Sequence, residues 1–334
     1  MNPQLEQKCQ LLADNRILIK KKNFWEASML KSLGAMLYTV KGAKVDPEVY
    51  GECKKLLRRK KGIFSQFRGY ASIAVISKMA LSGRPEQTLD DITEIFKQMK
   101  QVRWVGNLSR LMTALVLYDS VQISEVPRYV DLTDQIFHKM RKTHPWLTDW
   151  TDVPFAALLA VSDKNTDALF EDMEECYGIL KKRFFVGRDA VQGLSQILSL
   201  SDKSPEVKCD IAKELHKELR HIHKRFNPDR SIATLGAFAD VPLSVPEAAQ
   251  AIKEADDFLK HQRHFGAWSI SPRLRRMFSA AMVIDQYVPD SVTGSSAITA
   301  STISIVIIEE LILMMIIATA AASSSHSSSS SASA

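Results

Sequence analysis

Asp46-Pro47-Glu48 is the first of several short stretches that place a proline where a helix is expected to begin. Proline suits the first helical turn because the N–H that it lacks would find no partner there, and a following glutamate complements the helix dipole. Similar stretches recur at intervals of roughly forty residues: Arg84-Pro85-Glu86, Val126-Pro127-Arg128, Ser204-Pro205-Glu206 and Val245-Pro246-Glu247. The series omits one position, near Asn165-Thr166-Asp167, where capping residues stand instead. A fixed period of this size predicts an array of two-helix units.

Two kinds of helix alternate along the chain. Type A is apolar and rich in small residues, and it is predicted at residues 25–40, 70–81, 108–118, 153–161, 190–200 and 232–239. Type B is amphipathic and charged, and it is predicted at residues 89–100, 130–142, 169–182, 207–223 and 248–261. A helix that is apolar on all sides must be covered on all sides, whereas an amphipathic helix faces water. We therefore predict an inner layer of A helices and an outer layer of B helices.

This alternation predicts an all-α fold of about seven tandem helical hairpins over residues 1–292. Two architectures satisfy it, an open α-solenoid and a closed ring of hairpins, the α/α toroid. We favour the ring because small residues on the A helices permit close inner packing, but the sequence leaves closure open. Many A helices end in an aspartate that we expect to close the A–B turn by accepting backbone N–H bonds: Asp119, Asp163, Asp202, Asp240 and Asp285.

Composition and motifs exclude several classes of function. The formal net charge of +6 is mild for this length, so no nucleic-acid partner is expected. The four cysteines form no CxxC pair, which argues against a zinc ribbon or a redox motif. His216, His221 and His223 are spaced poorly for a metal and are interpreted as a solvated helix end. No GxSxG, HExxH, P-loop or dinucleotide fingerprint occurs, so no cofactor and no metal are expected and catalysis stays an open question.

The candidate binding residues lie in connections that lead from a B helix into an A helix. His144, Trp146, Trp150 and Asp152 form the densest aromatic and polar connection. Its tryptophans are candidates to line a ligand mouth, because loops on a rigid scaffold often carry binding residues. The alternative is that the tryptophans cover the core between units while Thr151 or Asp152 caps the next helix.

Two arginines extend this candidate site. Arg110 and Arg188 lie at the starts of two other A helices, and Arg110 interrupts an otherwise apolar run. A buried arginine needs a partner. We favour an internal ion pair for Arg110 and keep an anionic ligand as the alternative.

Basic residues are concentrated in two runs, Lys20-Lys21-Lys22 and residues 54–61. A solvated helix face is the preferred interpretation of both runs, and contact with anionic lipid or nucleic acid is the alternative.

The C-terminal region differs from the repeats. Residues 297–322 are intensely apolar apart from Glu309 and Glu310 at their centre. The segment 293–322 is predicted to be a helix that closes or plugs the array, lies in a membrane, or pairs with another copy of the chain. Within a plug, Glu309 or Glu310 would be the best acid candidate for an enzyme. Residues 323–334 are a serine- and alanine-rich tail predicted to be disordered.

Short motifs along nearly the whole chain resemble a bacterial family of unassigned role, domain-of-unknown-function family 4003. They are Phe64-Ser65-Gln66-Phe67-Arg68-Gly69, Met173-Glu174-Glu175-Cys176-Tyr177, Ala190-Val191-Gln192-Gly193-Leu194-Ser195, Thr234-Leu235-Gly236 and Phe265-Gly266. The resemblance implies a bacterial cytoplasmic setting and carries no catalytic motif. We expect a binding or scaffolding protein whose partner is a protein or a small molecule. The alternatives are a toroid enzyme or small-molecule binder with a central site, and a protein held at the membrane by its C-terminal helix.

Overall fold

The computed structural model of the protein describes residues 1–63, 65–102, 105–184, 187–222 and 232–288. These residues form fourteen α-helices and contain no strand, which confirms the all-α prediction. The helices are α1 Pro3–Lys22, α2 Ser28–Thr39, α3 Pro47–Lys60, α4 Ser72–Leu81, α5 Pro85–Gln98, α6 Asn107–Ser120, α7 Val126–Thr143, α8 Val153–Val161, α9 Thr166–Arg183, α10 Arg188–Leu198, α11 Pro205–Ile222, α12 Ala233–Gly236, α13 Val245–His261 and α14 Pro272–Tyr287.

The predicted helix starts are confirmed. Prolines occupy the first or second position of α3, α5, α7 and α13, and Pro205 begins α11. At the gap in the proline series, the side chain of Asn165 accepts hydrogen bonds from the backbone N–H groups of Asp167 and Ala168. An asparagine cap therefore begins α9 where proline begins its counterparts.

Burial separates the two helix types as predicted. Every residue of α8, an A helix, is buried, and most residues of α2 and α6 are buried as well. The B helix α5 buries Thr88, Leu89, Ile92 and Ile95, which lie on one helical face. The even-numbered helices are thus the covered A layer and the odd-numbered helices are the solvent-facing B layer.

The aspartates at the ends of the A helices act differently from our prediction. The ammonium of Lys164 pairs with Asp202 at 2.7 Å, Lys78 pairs with Asp119, and the Ser201 hydroxyl donates to Asp240 at 2.8 Å. Each of these pairs joins positions about one period apart, so the carboxylates link neighbouring units. For Asp119, Asp202 and Asp240 the prediction that they close their own turns was wrong, because these carboxylates contact a lysine or serine of the preceding unit instead.

The predicted A helix at 232–239 is shorter than expected. The helix α12 ends at Gly236, and the next bonds run from Phe238 N–H to Leu235 O and from Ala239 N–H to Gly236 O. These i to i+3 bonds wind the chain more tightly than an α-helix.

The N-terminal helix packs against the last described hairpin. The ammonium of Lys8 on α1 lies 2.5 Å from the Asp285 carboxylate on α14, and the amino terminus lies 3.2 Å from Glu254 on α13. Helix α1 also packs on α2 and α3, so it contacts both the first and the last described hairpins. The predicted helix at 293–322 and the tail at 323–334 lie outside the described residues.

The tight contact between α2 and α4 gives a stability test. A Cβ atom added at Gly34 would lie 2.5 Å from Cγ2 of Ile73, whereas one added at Gly178 on α9 meets no atom within 4 Å. We expect Gly34→Ala to lower the free energy of unfolding by about 1–3 kcal/mol through overpacking. The matched control Gly178→Ala should raise it by up to about 1 kcal/mol, since alanine favours the helix. Urea denaturation measures both, and equal effects would contradict the close packing.

Candidate functional site

The connections that lead from B helices into A helices gather at one end of the array, which we call the B-to-A end. In one hydrogen bond, the Ser109 hydroxyl at the start of α6 donates to the Trp150 carbonyl before α8, at 2.6 Å. In another, the Gln192 amide at the start of α10 donates to the Thr148 hydroxyl at 2.9 Å. Lys20, near the end of α1, lies 3.4 Å from His264 in the α13–α14 connection. These contacts bring connections from different units together.

The B-to-A end is basic. The last turns of the B helices carry cations at Lys20, Lys21, Lys22, Arg58, Arg59, Lys60, Lys97, Arg141, Lys142, Lys181, Lys182, Arg183, Arg220 and Lys260. The first turns of most B helices, at the opposite end, carry acids instead: Glu6, Glu48, Glu86, Asp167, Glu206 and Glu247. Charges of these signs complement the helix dipole. Because the B helices share one direction, the two ends of the array differ in charge.

Large apolar side chains are exposed at the same basic end. Trp25 is 93% exposed, Trp146 is 95% exposed and Trp268 is fully exposed. Phe24, Ile63 and Tyr70 are further exposed apolar residues in these connections. The helix dipole accounts for the cations but not for the exposed indoles, since burying an indole is favourable. Exposed tryptophan among cations therefore marks this end as a candidate interaction surface.

The structure separates the residues predicted in the 144–152 connection. Trp146 projects into solvent, whereas the indole of Trp150 lies over Gly106, 3.5 Å from where a Cβ atom would be there. His144 Nε2 lies 2.8 Å from the Glu174 carboxylate on α9. Asp152 is buried and accepts the Asp149 N–H at 2.8 Å, which closes a 3-10 turn before α8. Trp150 therefore covers the neighbouring unit, as the alternative predicts. Asp152 braces the turn before α8, but its side chain does not cap that helix, and Trp146 stays exposed.

The predicted arginines lie near the same end without forming a pocket together. Arg110 is half-buried and donates to Asn107 Oδ1 at 3.4 Å and to the Val102 carbonyl at 3.3 Å. Among the described residues these acceptors are neutral, so the favoured ion pair of Arg110 is not what the structure contains. Arg188 is exposed at the start of α10. Glu309 and Glu310 lie outside the described residues.

Some cations of the basic run at 54–61 bind polar partners, and others are exposed. Lys54 donates to Asn23 Oδ1 at 2.8 Å, and Lys60 pairs with Asp90 at 2.9 Å. Lys55, Arg58 and Arg59 are exposed. The predicted solvated face therefore applies to part of the run.

Sequence reasoning missed a buried cation near this surface. Arg16 on α1 is 2% exposed, and its guanidinium donates to the hydroxyls of Ser28 and Ser32 at 2.6 and 2.9 Å. Its Nη1 atom is buried without a hydrogen-bond partner. Burial lowers the pKa of Arg16 to about 10. A signal was available, because Arg16 lies at helical spacing from Leu12 and Ile19, on the apolar face of α1.

His216 also differs from its predicted environment. It is buried, and its ring lies 5.2 Å from that of Phe184. Burial and the nearby Arg220 charge lower the pKa of His216 to about 4. The interpretation as a solvated helix end was wrong for this residue, because the histidine packs inward. His221 is exposed, and His223 lies outside the described residues.

A cleft of about 1290 Å³ lies between α3, α5 and the α6–α7 connection. Both signs of charge line it, including Glu52, Arg59, Arg84 and Asp91. It contains none of the predicted binding residues. Over the described part of the chain, no cluster of His, Cys, Asp or Glu suits a metal ion, and no helix is long and apolar enough to cross a membrane.

The comparisons with known proteins agree with the family resemblance. Residues 17–314 match the model of a family described as a protein of unknown function, DUF4003. The chain belongs to the DUF4003 family. It is also similar to the uncharacterized protein YeaA of Bacillus subtilis (strain 168), with 23% identity over 226 residues, which cover 65% of this chain and 68% of that protein. No solved structure matches this DUF4003 chain significantly.

The two tryptophans of the 144–152 connection should differ in their effect on stability. We expect Trp150→Ala to lower the free energy of unfolding by about 1–3 kcal/mol, because it opens a gap over Gly106. Trp146→Ala should change it by less than about 0.5 kcal/mol, since the indole makes little contact with the fold. Denaturant melts of both variants measure the difference. A larger loss for Trp146→Ala would show that this side chain belongs to the core.

Proposed function

We propose that this DUF4003 protein is a binding or scaffolding protein that docks through its B-to-A end on an anionic membrane surface. The observation that carries the proposal is the presence of exposed tryptophans and basic helix ends at the same end of the array. Tryptophan favours the interface of a bilayer, where its ring is buried and its N–H stays wet. Each cation near an anionic leaflet adds about 1 kcal/mol of attraction. The opposite, acidic end would then face away from the membrane.

The proposed arrangement of the hairpins is an α/α toroid. The contacts of α1 with α13 and α14 support closure, because they place the first and last described hairpins side by side. In a ring, the connections that carry Trp268, Trp25 and Ile63 belong to three successive units. Their apolar side chains would then form one arc that touches the bilayer together. The proposed location is the cytoplasmic side of the membrane, with peripheral attachment.

A second candidate function is a small-molecule binder or enzyme with its site at the centre of the toroid. The observation in its favour is Gln196 on the A helix α10, whose amide nitrogen and oxygen are both buried without a hydrogen-bond partner. Thr234 on the neighbouring helix α12 also has a buried hydroxyl without a partner. A polar ligand would satisfy these groups. This candidate ranks second because its acids, Glu309 and Glu310, lie outside the described residues.

Vesicle flotation tests membrane docking. We expect the full chain to float with vesicles that contain phosphatidylglycerol, to bind neutral phosphatidylcholine vesicles much less, and to dissociate as salt rises. The double variant Trp25→Ala/Trp268→Ala should bind anionic vesicles more than about tenfold more weakly, because two large apolar side chains no longer enter the interface.

The matched control removes apolar side chains from the opposite end. Ile123→Ala/Val207→Ala changes two residues that are each 48% exposed there, and it should float like the unmodified chain. Unchanged binding of the tryptophan variant would contradict docking through the B-to-A end. If the tryptophan variant also bound neutral vesicles as well as anionic ones, the attachment would be assigned to the segment 293–322.

A further inference from the structure

The B-to-A end contains a cluster of cations at the start of α2. Arg16 and Lys31 are 2% and 5% exposed. The ammonium of Lys31 donates to the Phe24 carbonyl at 3.1 Å. Lys20 lies 3.4 Å from His264 Nε2, a contact in which a neutral imidazole accepts. These groups come from α1, α2 and the α13–α14 connection, so the cluster depends on the contact between the first and last described hairpins.

Other deeply buried cations in the described chain have carboxylate partners. Arg275 lies 2.8 Å from Asp256, and Lys208 lies 2.5 Å from Asp172. Arg16 and Lys31 instead donate to hydroxyls and a carbonyl, and Nη1 of Arg16 donates to no group. A buried charge without a counter-ion is strongly unfavourable. Arg16 and Lys31, the two deeply buried cations of the described chain without a carboxylate partner, are therefore neighbours. A bound anion would neutralise their charge.

The electrostatics agree with this geometry. Burial lowers the pKa of Lys31, and the charges of Arg16 and Lys20 lower it further. Burial, followed by the charges of Lys20, Arg16, Arg263 and Lys31, lowers the pKa of His264. The carboxylate of Glu26 offsets part of the repulsion at Lys31. The cluster therefore carries an excess of positive charge that repels itself.

The first turn of α2 adds donors to the cluster. Its N-cap residue is Ala27, which offers no side-chain bond to the first amides of the helix. Arg16 is directed at this turn, because it binds the hydroxyl of Ser28, the first residue of α2. Free amides at a helix start, together with an arginine fork, match the several oxygens of a tetrahedral phosphate better than a single carboxylate.

We infer that Arg16, Lys20, Lys31 and the first turn of α2 form a binding site for a phosphate group. The phosphate belongs either to a soluble phosphate ester or to a lipid headgroup. Nη1 of Arg16 is covered in this structure, so entry of the anion requires a local opening. The inference does not rest on membrane docking, since a soluble phosphate would fill the site equally well.

Thermal unfolding of the full chain in inorganic phosphate tests the site. At constant ionic strength, phosphate in place of chloride should raise Tm in a saturable manner, because it binds the folded state. Arg16→Met should abolish this increase, and its Tm in chloride should equal or exceed that of the unmodified chain, since it removes a buried uncompensated charge. The control Lys41→Met removes an exposed cation between α2 and α3 and should keep the increase.

Two results would overturn the inference: no phosphate-dependent rise in the unmodified chain, or an unchanged rise in Arg16→Met. If Arg16→Met does not fold, Lys20→Gln replaces it, and the phosphate concentration for half-saturation should rise roughly tenfold through loss of one charged contact. An unchanged half-saturation in Lys20→Gln would overturn the inference as well.

Vesicles distinguish the two sources of the phosphate. If the site binds a lipid headgroup, the unmodified chain should prefer phosphatidic acid to phosphatidylglycerol at equal surface charge, and Arg16→Met should lose that preference. If the ligand is soluble, neither the unmodified chain nor Arg16→Met should prefer phosphatidic acid. The unmodified chain should still show the phosphate-dependent rise in Tm. Failure of membrane docking is separable, because Trp25→Ala/Trp268→Ala should keep the rise in Tm.

Discussion

Burial of the A helices on every side is the constraint on which the rest of the structure depends. An A helix such as α8 has no polar face to give to water, so B helices must cover it on one side and other A helices must flank it. When each hairpin packs on the previous one in this way, all the B helices run in the same direction. That common direction gathers the B-helix C-termini at one end. Helix packing alone is thus enough to produce a basic end, without any function at that end.

The exposed tryptophans and the cation cluster at the start of α2 go beyond what packing requires. Dipole complementarity favours cations at helix ends by a few tenths of a kcal/mol to about 1 kcal/mol each. It gives no reason for Trp25 and Trp268 to stand in water, or for Arg16 to be buried without a carboxylate. Both features lie where α1 meets the last described hairpin. The contact between α1 and the last described hairpin therefore coincides with the most unusual surface chemistry of the described residues.

Much of the fold could be predicted from the sequence, because helix starts and helix polarity are local properties. The proline positions predicted α3, α5, α7, α11 and α13, and Asn165 marked α9. Partners between units were harder to predict. Asp119 and Asp202 each bind a lysine about one period earlier, and only the three-dimensional stacking of units brings those pairs together.

The sequence placed the candidate residues in B-to-A connections, but it did not show which of their side chains are exposed. A connection rich in aromatic residues does not reveal which indole packs on a neighbouring glycine, as Trp150 does on Gly106. Arg16 was missed although it lies on the apolar face of α1, because its surroundings come from three separate elements.

Quenching of tryptophan fluorescence by lipids brominated on their acyl chains tests the central claim most directly. Variants that keep a single tryptophan at position 25, 146 or 268, with phenylalanine at the others, would be bound to vesicles that contain phosphatidylglycerol. A further variant would carry its single tryptophan at the opposite end through Ile123→Trp. The account predicts quenching at Trp25 and Trp268 and none for Ile123→Trp. Equal quenching at both ends, or none at Trp25 and Trp268, would contradict it.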